Sequence, residues 1–314
     1  MQLPTEGKFA EMAKFIRLRR YQESVYCMLI GSYLDESFDT RKSGVYVVGG
    51  IMAQSIPIFE LDRRWEALRK RPDIDIEYFK ASECERGSGQ FAKFCKIPEK
   101  PTPEERVELD SISHEFLDLI VHAVLWHEHK HHVVVHGIGV VQADFYDVIK
   151  DPKAKAVLGP SPFRLAYDLA MVQCAWAMKQ MGEGWGASFI CDADQEHAQA
   201  VLPDYLKLKQ KNPKAAEYMF SFTAEDEKKC EPLQAADAGV YEVRRALNIS
   251  LNHWQGPLRK QFKALSNPSG VLFLIKHTTR KQLVYIANHN NPGEAFYLDD
   301  IMEENPPETN IITI

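Results

Sequence analysis

The sequence predicts an α/β fold. Short apolar runs of strand length recur at 27–30, 44–51, 133–141, 186–191 and 218–222. Between them lie segments whose apolar residues fall three and four apart, the spacing of an amphipathic helix. Acidic residues then stand at chosen points of that frame, after a first strand at Asp35 and Glu36, after a later strand at Asp192 and Asp194, and on a late helix at Asp237.

The first pair of runs sets the pattern. Cys27-Met28-Leu29-Ile30 leads into Ser32-Tyr33-Leu34-Asp35-Glu36-Ser37, and Gly44 to Ile51 follows. Two antiparallel strands joined by a polar turn are expected, with Asp35 and Glu36 where a buried strand emerges. Adjacent carboxylates repel, and burial adds to that cost unless a cation or hydrogen-bond donors offset it. A divalent ion held by oxygen ligands does so. Asp and Ser are also ordinary turn residues, so this stretch alone does not choose between the two readings.

A helix is predicted from Pro57 to Arg71, where Phe59, Leu61, Trp65 and Leu68 share a face and Pro72 ends it. Alternation through Ile74-Asp75-Ile76-Glu77 predicts a half-buried strand to about Ser82. On it Glu77 is a candidate metal ligand and Lys80 a candidate contact to a scissile phosphate. Residues 86–104, rich in Gly, Ser, Lys and Pro, read as a loop or inserted lobe. Thr102-Pro103 opens the next helix, the Thr as cap and the Pro in the first turn.

His127, His129, His131, His132 and His136 follow. Alternate members would share one strand face, but zinc needs three convergent ligands and alternation does not supply convergence. Val133 to Val141 reads as strand. Ser161-Pro162 opens a core helix running to Gly182. The strand at 186–191 ends in Asp192-Ala193-Asp194, and a helix then runs to about Lys211. One of those acids can cap the helix; the other is left at the carboxyl end of a strand, where ligands collect in open α/β sheets. After a strand at 218–222, Glu231-Pro232 opens a helix with a buried stripe of Leu233, Ala236, Val240, Val243 and Leu247. Gln234 and Asp237, three apart, share one side of it. The tail predicts a β-hairpin pairing 271–275 with 282–286. A short helix is expected near the start, at 9–20.

Composition narrows the classes. With 45% hydrophobic residues in 314, a substantial core is expected and wholesale disorder is not. A net charge of -6 argues against a uniformly basic nucleic-acid coat while permitting local basic patches. No run approaches the roughly 20 apolar residues of a membrane helix. The six cysteines are dispersed without a C-x-x-C, and read as thiols of a reducing compartment. A cytoplasmic protein with no membrane association is the expectation; the sequence does not speak to oligomeric state.

Two motifs now stand in order, Tyr33-Leu34-Asp35-Glu36-Ser37 and Leu233-Gln234-Ala235-Ala236-Asp237, with the strand ending at Asp192 between them. Together they resemble the family called domain of unknown function 3800, over about residues 26–247. Phe38 stands where that family's pattern usually has Gly. The resemblance implies a ribonuclease H-like mixed sheet flanked by helices; the insertion at about 86–110 and the C-terminal β-hairpin extension lie outside it. The expected divisions are an N-terminal helix (1–25), a core (26–250) and a C-terminal extension packed on it (251–314). The resemblance further implies a metal-dependent nuclease or phosphodiester hydrolase. Asp35, Asp237 and either Asp192 or Asp194 would hold one or two magnesium or manganese ions that activate water. Glu36 and Glu77 are further candidate ligands, while Ser37, Lys80 and Gln234 would contact substrate or orient ligands. Nucleic acid would be the partner. The competing expectations are a non-catalytic binding or regulatory module of the same fold, and a zinc hydrolase built on the histidine group.

Overall fold

A computed structural model of the chain describes residues 28–38, 44–125, 133–181, 185–193, 198–265 and 272–288, with Leu298 and Glu308–Thr309. The expected N-terminal helix, Asp194, and His127, His129, His131 and His132 lie outside the described residues. The first two apolar runs do pair: β1 (Met28–Ser37) and β2 (Val45–Gln54) are antiparallel. The pairing continues through Asp35 opposite Gly49 and Ser37 opposite Val47. The stretch expected to turn is therefore strand, and Asp35 and Glu36 point to opposite faces of the sheet, as alternation requires.

β3 (Val133–Val141) pairs antiparallel with β2. β4 (Trp185–Asp192) lies parallel to β1, and β5 (Met219–Glu225) parallel to β4. β6 (Leu272–Thr278) runs parallel to β3, and β7 (Glu308–Thr309) antiparallel to β6. The result is one mixed sheet in the order β5-β4-β1-β2-β3-β6-β7. Among the described residues no helix is long and apolar enough to cross a membrane.

Helices cover both faces. Tyr33, Val45, Val47 and Ile51 pack toward α1 (Ser55–Arg69), α3 (Pro103–Leu125) and α9 (Glu231–Ser250). Ile30, Leu34, Tyr46, Val48 and Met52 pack toward α6 (Pro162–Met181). Between these in sequence come α2 (Ala81–Arg86), α4 (Gln142–Val148), α5 (Pro152–Leu158), α7 (Ala198–Lys211) and α8 (Pro213–Ala216); α10 (Lys260–Leu265) and α11 (Arg280–Asn288) follow. The predicted starts at Pro103, Pro162 and Glu231 agree with the structure. At the first, Glu105 N–H donates to Thr102 Oγ1 (3.3 Å) and Thr102 N–H donates to Glu105 Oε2 (2.8 Å), a reciprocal cap.

α9 lies unusually close to the strands. Gly50 has φ 150°, and a Cβ there would stand 2.8 Å from the Ala236 Cβ. At Gly139 a Cβ would stand 2.9 Å from Leu247. Missing side chains on the sheet thus let the helix settle, bringing Asp237 down beside Asp35.

Two expectations fail. Residues 282–286 are not a strand but part of α11. Thr279 N–H donates to Gln282 Oε1 (2.9 Å) and Gln282 N–H to Thr279 Oγ1 (3.3 Å), which starts a helix. Leu283 and Ile286, three apart, are both fully buried while Val284 is exposed, so the helical period overrides the strand-like composition. β6 itself pairs with β3, so no C-terminal β-hairpin forms from these segments.

The second failure is the strand expected at 74–82. Ile74 and Ile76 are buried and Asp75 and Glu77 exposed, as the alternation implied. The amides, however, find no partner strand among the described residues. Ile76 N–H donates to Arg69 O (3.0 Å), Phe79 N–H to Gln234 Oε1 (2.9 Å) and Ala81 N–H to Asp237 Oδ2 (2.6 Å). The segment is a strap across α1 and α9. Its anchor is Phe79, fully buried against Trp65 and Phe116 at centroid distances of 5.6 and 4.4 Å. Truncating such a ring costs about 3–5 kcal/mol. An exposed ion pair such as Arg71–Glu115 contributes about 1 kcal/mol or less, so apolar burial dominates the anchoring.

Candidate metal centre

Three carboxylates meet at the carboxyl end of β1. Asp35 from β1, Asp237 from α9 and Glu227 from the 3₁₀ turn Glu227–Lys229 each place an oxygen within 4.8 Å of the others. All are buried, with relative exposures of 4, 5 and 6%. Asp35 faces them because alternation along β1 turns it to the α9 side. Asp237 faces them because it lies on the stripe of α9 that meets the sheet.

The strap brings a cation to this group. Lys80 Nζ donates to Glu227 Oε2 at 2.7 Å. Burial disfavours its charge, but Asp237, Glu227 and Asp35 outweigh that and hold the ammonium's pKa above its ordinary range. One cation does not satisfy three acids. Burial, then the charges of Asp237, Glu36 and Glu227, push Asp35 well above the usual carboxylate range despite Lys80. Burial and Asp237 push Glu227 up to about 8, again against Lys80. Glu227 Oε1 is out of solvent and has no hydrogen-bond partner among the described residues. A buried acceptor left unsatisfied costs roughly 1–3 kcal/mol, more when charged. Hard oxygen donors, a surplus of negative charge and an orphaned buried oxygen together fit a small divalent cation.

Supporting contacts hold the ligands. Gln234 is fully buried on α9. Its Oε1 accepts from Trp65 Nε1 (3.1 Å) and from the Phe79 amide, while its Nε2 donates to Glu227 O (3.0 Å). One side chain thus ties α1, the strap and the Glu227 turn together. Asp192, buried at the end of β4, accepts the Glu227 amide on Oδ1 at 3.3 Å. It steadies the cluster from one step back and lies outside the group of close oxygens. Arg244 Nε donates to Ser37 Oγ at 2.8 Å.

Two of the candidate ligands are not brought to the group. Glu77 is exposed, because on the strap it takes the outward side of the alternation. Glu36 lies on the other face of the sheet, where the Tyr167 hydroxyl donates to its Oε2 at 3.2 Å. Its charge reaches Asp35 only through space. Lys80, in contrast, is central.

Glu227 was missed. It sits in Glu225-Asp226-Glu227-Lys228-Lys229, a charge run that reads as a solvated loop. The available signal was its position just past a strand, the same argument that singled out Asp192. Of the histidine group, His136 is described. It is fully buried on β3, near Ser32 Oγ (3.4 Å) and Cys174 Sγ, and burial holds its pKa down to about 3.

No family model matches the chain, and neither does any curated protein or solved structure.

Proposed function

We propose that the chain is a divalent-metal-dependent phosphodiester hydrolase, a nuclease with a ribonuclease H-like core. The observation that carries the reading is the buried trio Asp35, Glu227 and Asp237 with Lys80 beside it and one Glu227 oxygen without a partner among the described residues. The sheet supports it. Its run β5-β4-β1-β2-β3, with β1 to β3 antiparallel and β4 and β5 parallel to β1, suits a ribonuclease H-like core. That is an argument from fold, and the function rests on the site. The motif order that resembles the domain of unknown function 3800 family belongs to the same proposal.

In this reading Asp35, Glu227 and Asp237 hold magnesium or manganese. The bound ion supplies an activated water and neutralises charge at the phosphate. Hydrolysis joins the water oxygen to phosphorus, breaks one bridging P–O bond and passes a proton to the leaving oxygen. Lys80, with about a third of its side chain exposed, offers its ammonium to the phosphate. Asp192 and Gln234 keep Glu227 in place. The test is cleavage of single- and double-stranded DNA and RNA with magnesium or manganese by the Asp35→Asn and Asp237→Asn variants. Both lose cleavage if the assignment holds; unchanged cleavage in both overturns it.

A further inference from the structure

Resting on that reading of the acidic group, we infer that Lys80 occupies the place of a second metal ion, so that the centre binds one divalent cation and not two. The strap gives Lys80 little freedom to leave. The amides on either side of it donate to α9, Phe79 N–H to Gln234 and Ala81 N–H to Asp237. The Phe79 ring is locked between Trp65 and Phe116. The ammonium is delivered to the carboxylates by the backbone itself.

The oxygens are divided accordingly. Lys80 holds Glu227 Oε2, and the Ala81 amide holds Asp237 Oδ2. Glu227 Oε1, buried and without a hydrogen-bond partner among the described residues, is left for a ligand, and so is the Asp237 oxygen other than Oδ2. With Asp35 this makes one small ligand set. A second ion at Glu227 would have to displace the ammonium or stand beside it.

Charge points the same way. The trio carries three negative charges when ionised; the ammonium cancels one and a single divalent ion the other two. A second divalent ion would bring two positive charges beyond those of the close oxygens, among carboxylates that are about 95% buried, where like charges repel far more than in water. Glu36 and Asp192 act on the trio through space and add no oxygen to the close group. On substrate binding the ammonium, rather than a second ion, meets the charge of the phosphate.

The experiment is calorimetric titration of manganese into the full chain, with elemental analysis of the dialysed complex. One ion per chain is expected for the native sequence and for Lys80→Arg, which keeps the charge, and two for Lys80→Met, which removes it. Two ions in the native protein overturn the inference while leaving the metal centre intact. So does a single ion of unchanged affinity in Lys80→Met. No ion in the native protein overturns the metal centre and the inference with it. Two ions in the native protein overturn the inference even if Lys80→Met fails to fold.

Discussion

β1 buries polar groups on both of its faces, and it treats them in opposite ways. Toward α9 it presents Asp35, which joins two other carboxylates around a lysine. Toward α6 it presents Ser32 and Glu36; Ser32 sits with His136 and Cys174 in a fully enclosed neutral cluster. The Ser32 cluster follows the usual rule for interiors: its polar groups stay neutral and find a weak partner, while Glu36, half-buried, accepts from the Tyr167 hydroxyl. The α9 side breaks that rule, concentrating like charges where burial makes them repel. A fold that only needed stability would gain by replacing them. The difference teaches that one face of this strand is built for packing and the other tolerates strain that a bound cation would relieve.

The largest expected effect tests the strained face directly. Asp35→Asn should lower metal affinity by about a hundredfold or more, beyond the 10–100-fold of an outer-shell change. Without metal it should raise the melting temperature, because a repelling charge is removed. A variant destabilised without metal and binding it normally would place Asp35 among ordinary structural acids.

Next comes Gln234→Leu. It leaves the Trp65 indole N–H, the Phe79 amide and the Glu227 carbonyl without their partner. Each buried orphan costs roughly 1–3 kcal/mol, so chemical denaturation should show a loss of several kcal/mol together with weaker metal binding. Lost stability with intact metal affinity would separate Gln234 from the site.

The neutral face makes a pH prediction. Burial holds His136 down to about 3, below the ordinary value of 6.5. As pH falls below that ordinary value the unfolded chain takes a proton that the folded chain refuses. Stability from this residue is present above pH about 6.5 and is lost toward pH about 3, at up to roughly 1.4 kcal/mol per pH unit. Asp35 and Glu227, whose pKa values are raised, act in the opposite sense. The His136→Gln variant should therefore show a shallower fall of melting temperature between pH 6 and 4, by close to one proton. An unchanged slope would mean that His136 takes up its proton while folded.

The smallest effects mark the boundary between the faces. Glu36→Gln should change metal affinity only slightly, since Glu36 acts through the sheet. Glu77→Ala should change neither affinity nor stability beyond about 0.5 kcal/mol, as expected for an exposed side chain. A Glu36→Gln loss as large as that of Asp35→Asn would erase the distinction between the faces.

Much of the fold was legible locally. Helix starts at Pro103, Pro162 and Glu231 follow from caps and proline, and the strands at 185–192 and 219–225 from short apolar runs between turn signals. The failures share one cause. Ile74-Asp75-Ile76 alternates like a strand, but only the presence of α9 decides that its neighbouring amides bond to Gln234 and Asp237 instead of a ladder. In 282–286 the residue types suit a strand, whereas burial of Leu283 and Ile286 against a partner the sequence does not display selects the helix.

The sequence by itself determined which residues have strand and helix periods, and that Asp35 and Asp237 are acids bordering apolar faces. Periodicity and capping act over a few residues, so they can be read from neighbours in the chain. Only the tertiary structure decided that Glu227 completes the group, that Lys80 stands within it, and that Glu36 and Glu77 do not. Those outcomes depend on which face of a strand meets which helix, and on where amides separated by more than a hundred residues find acceptors.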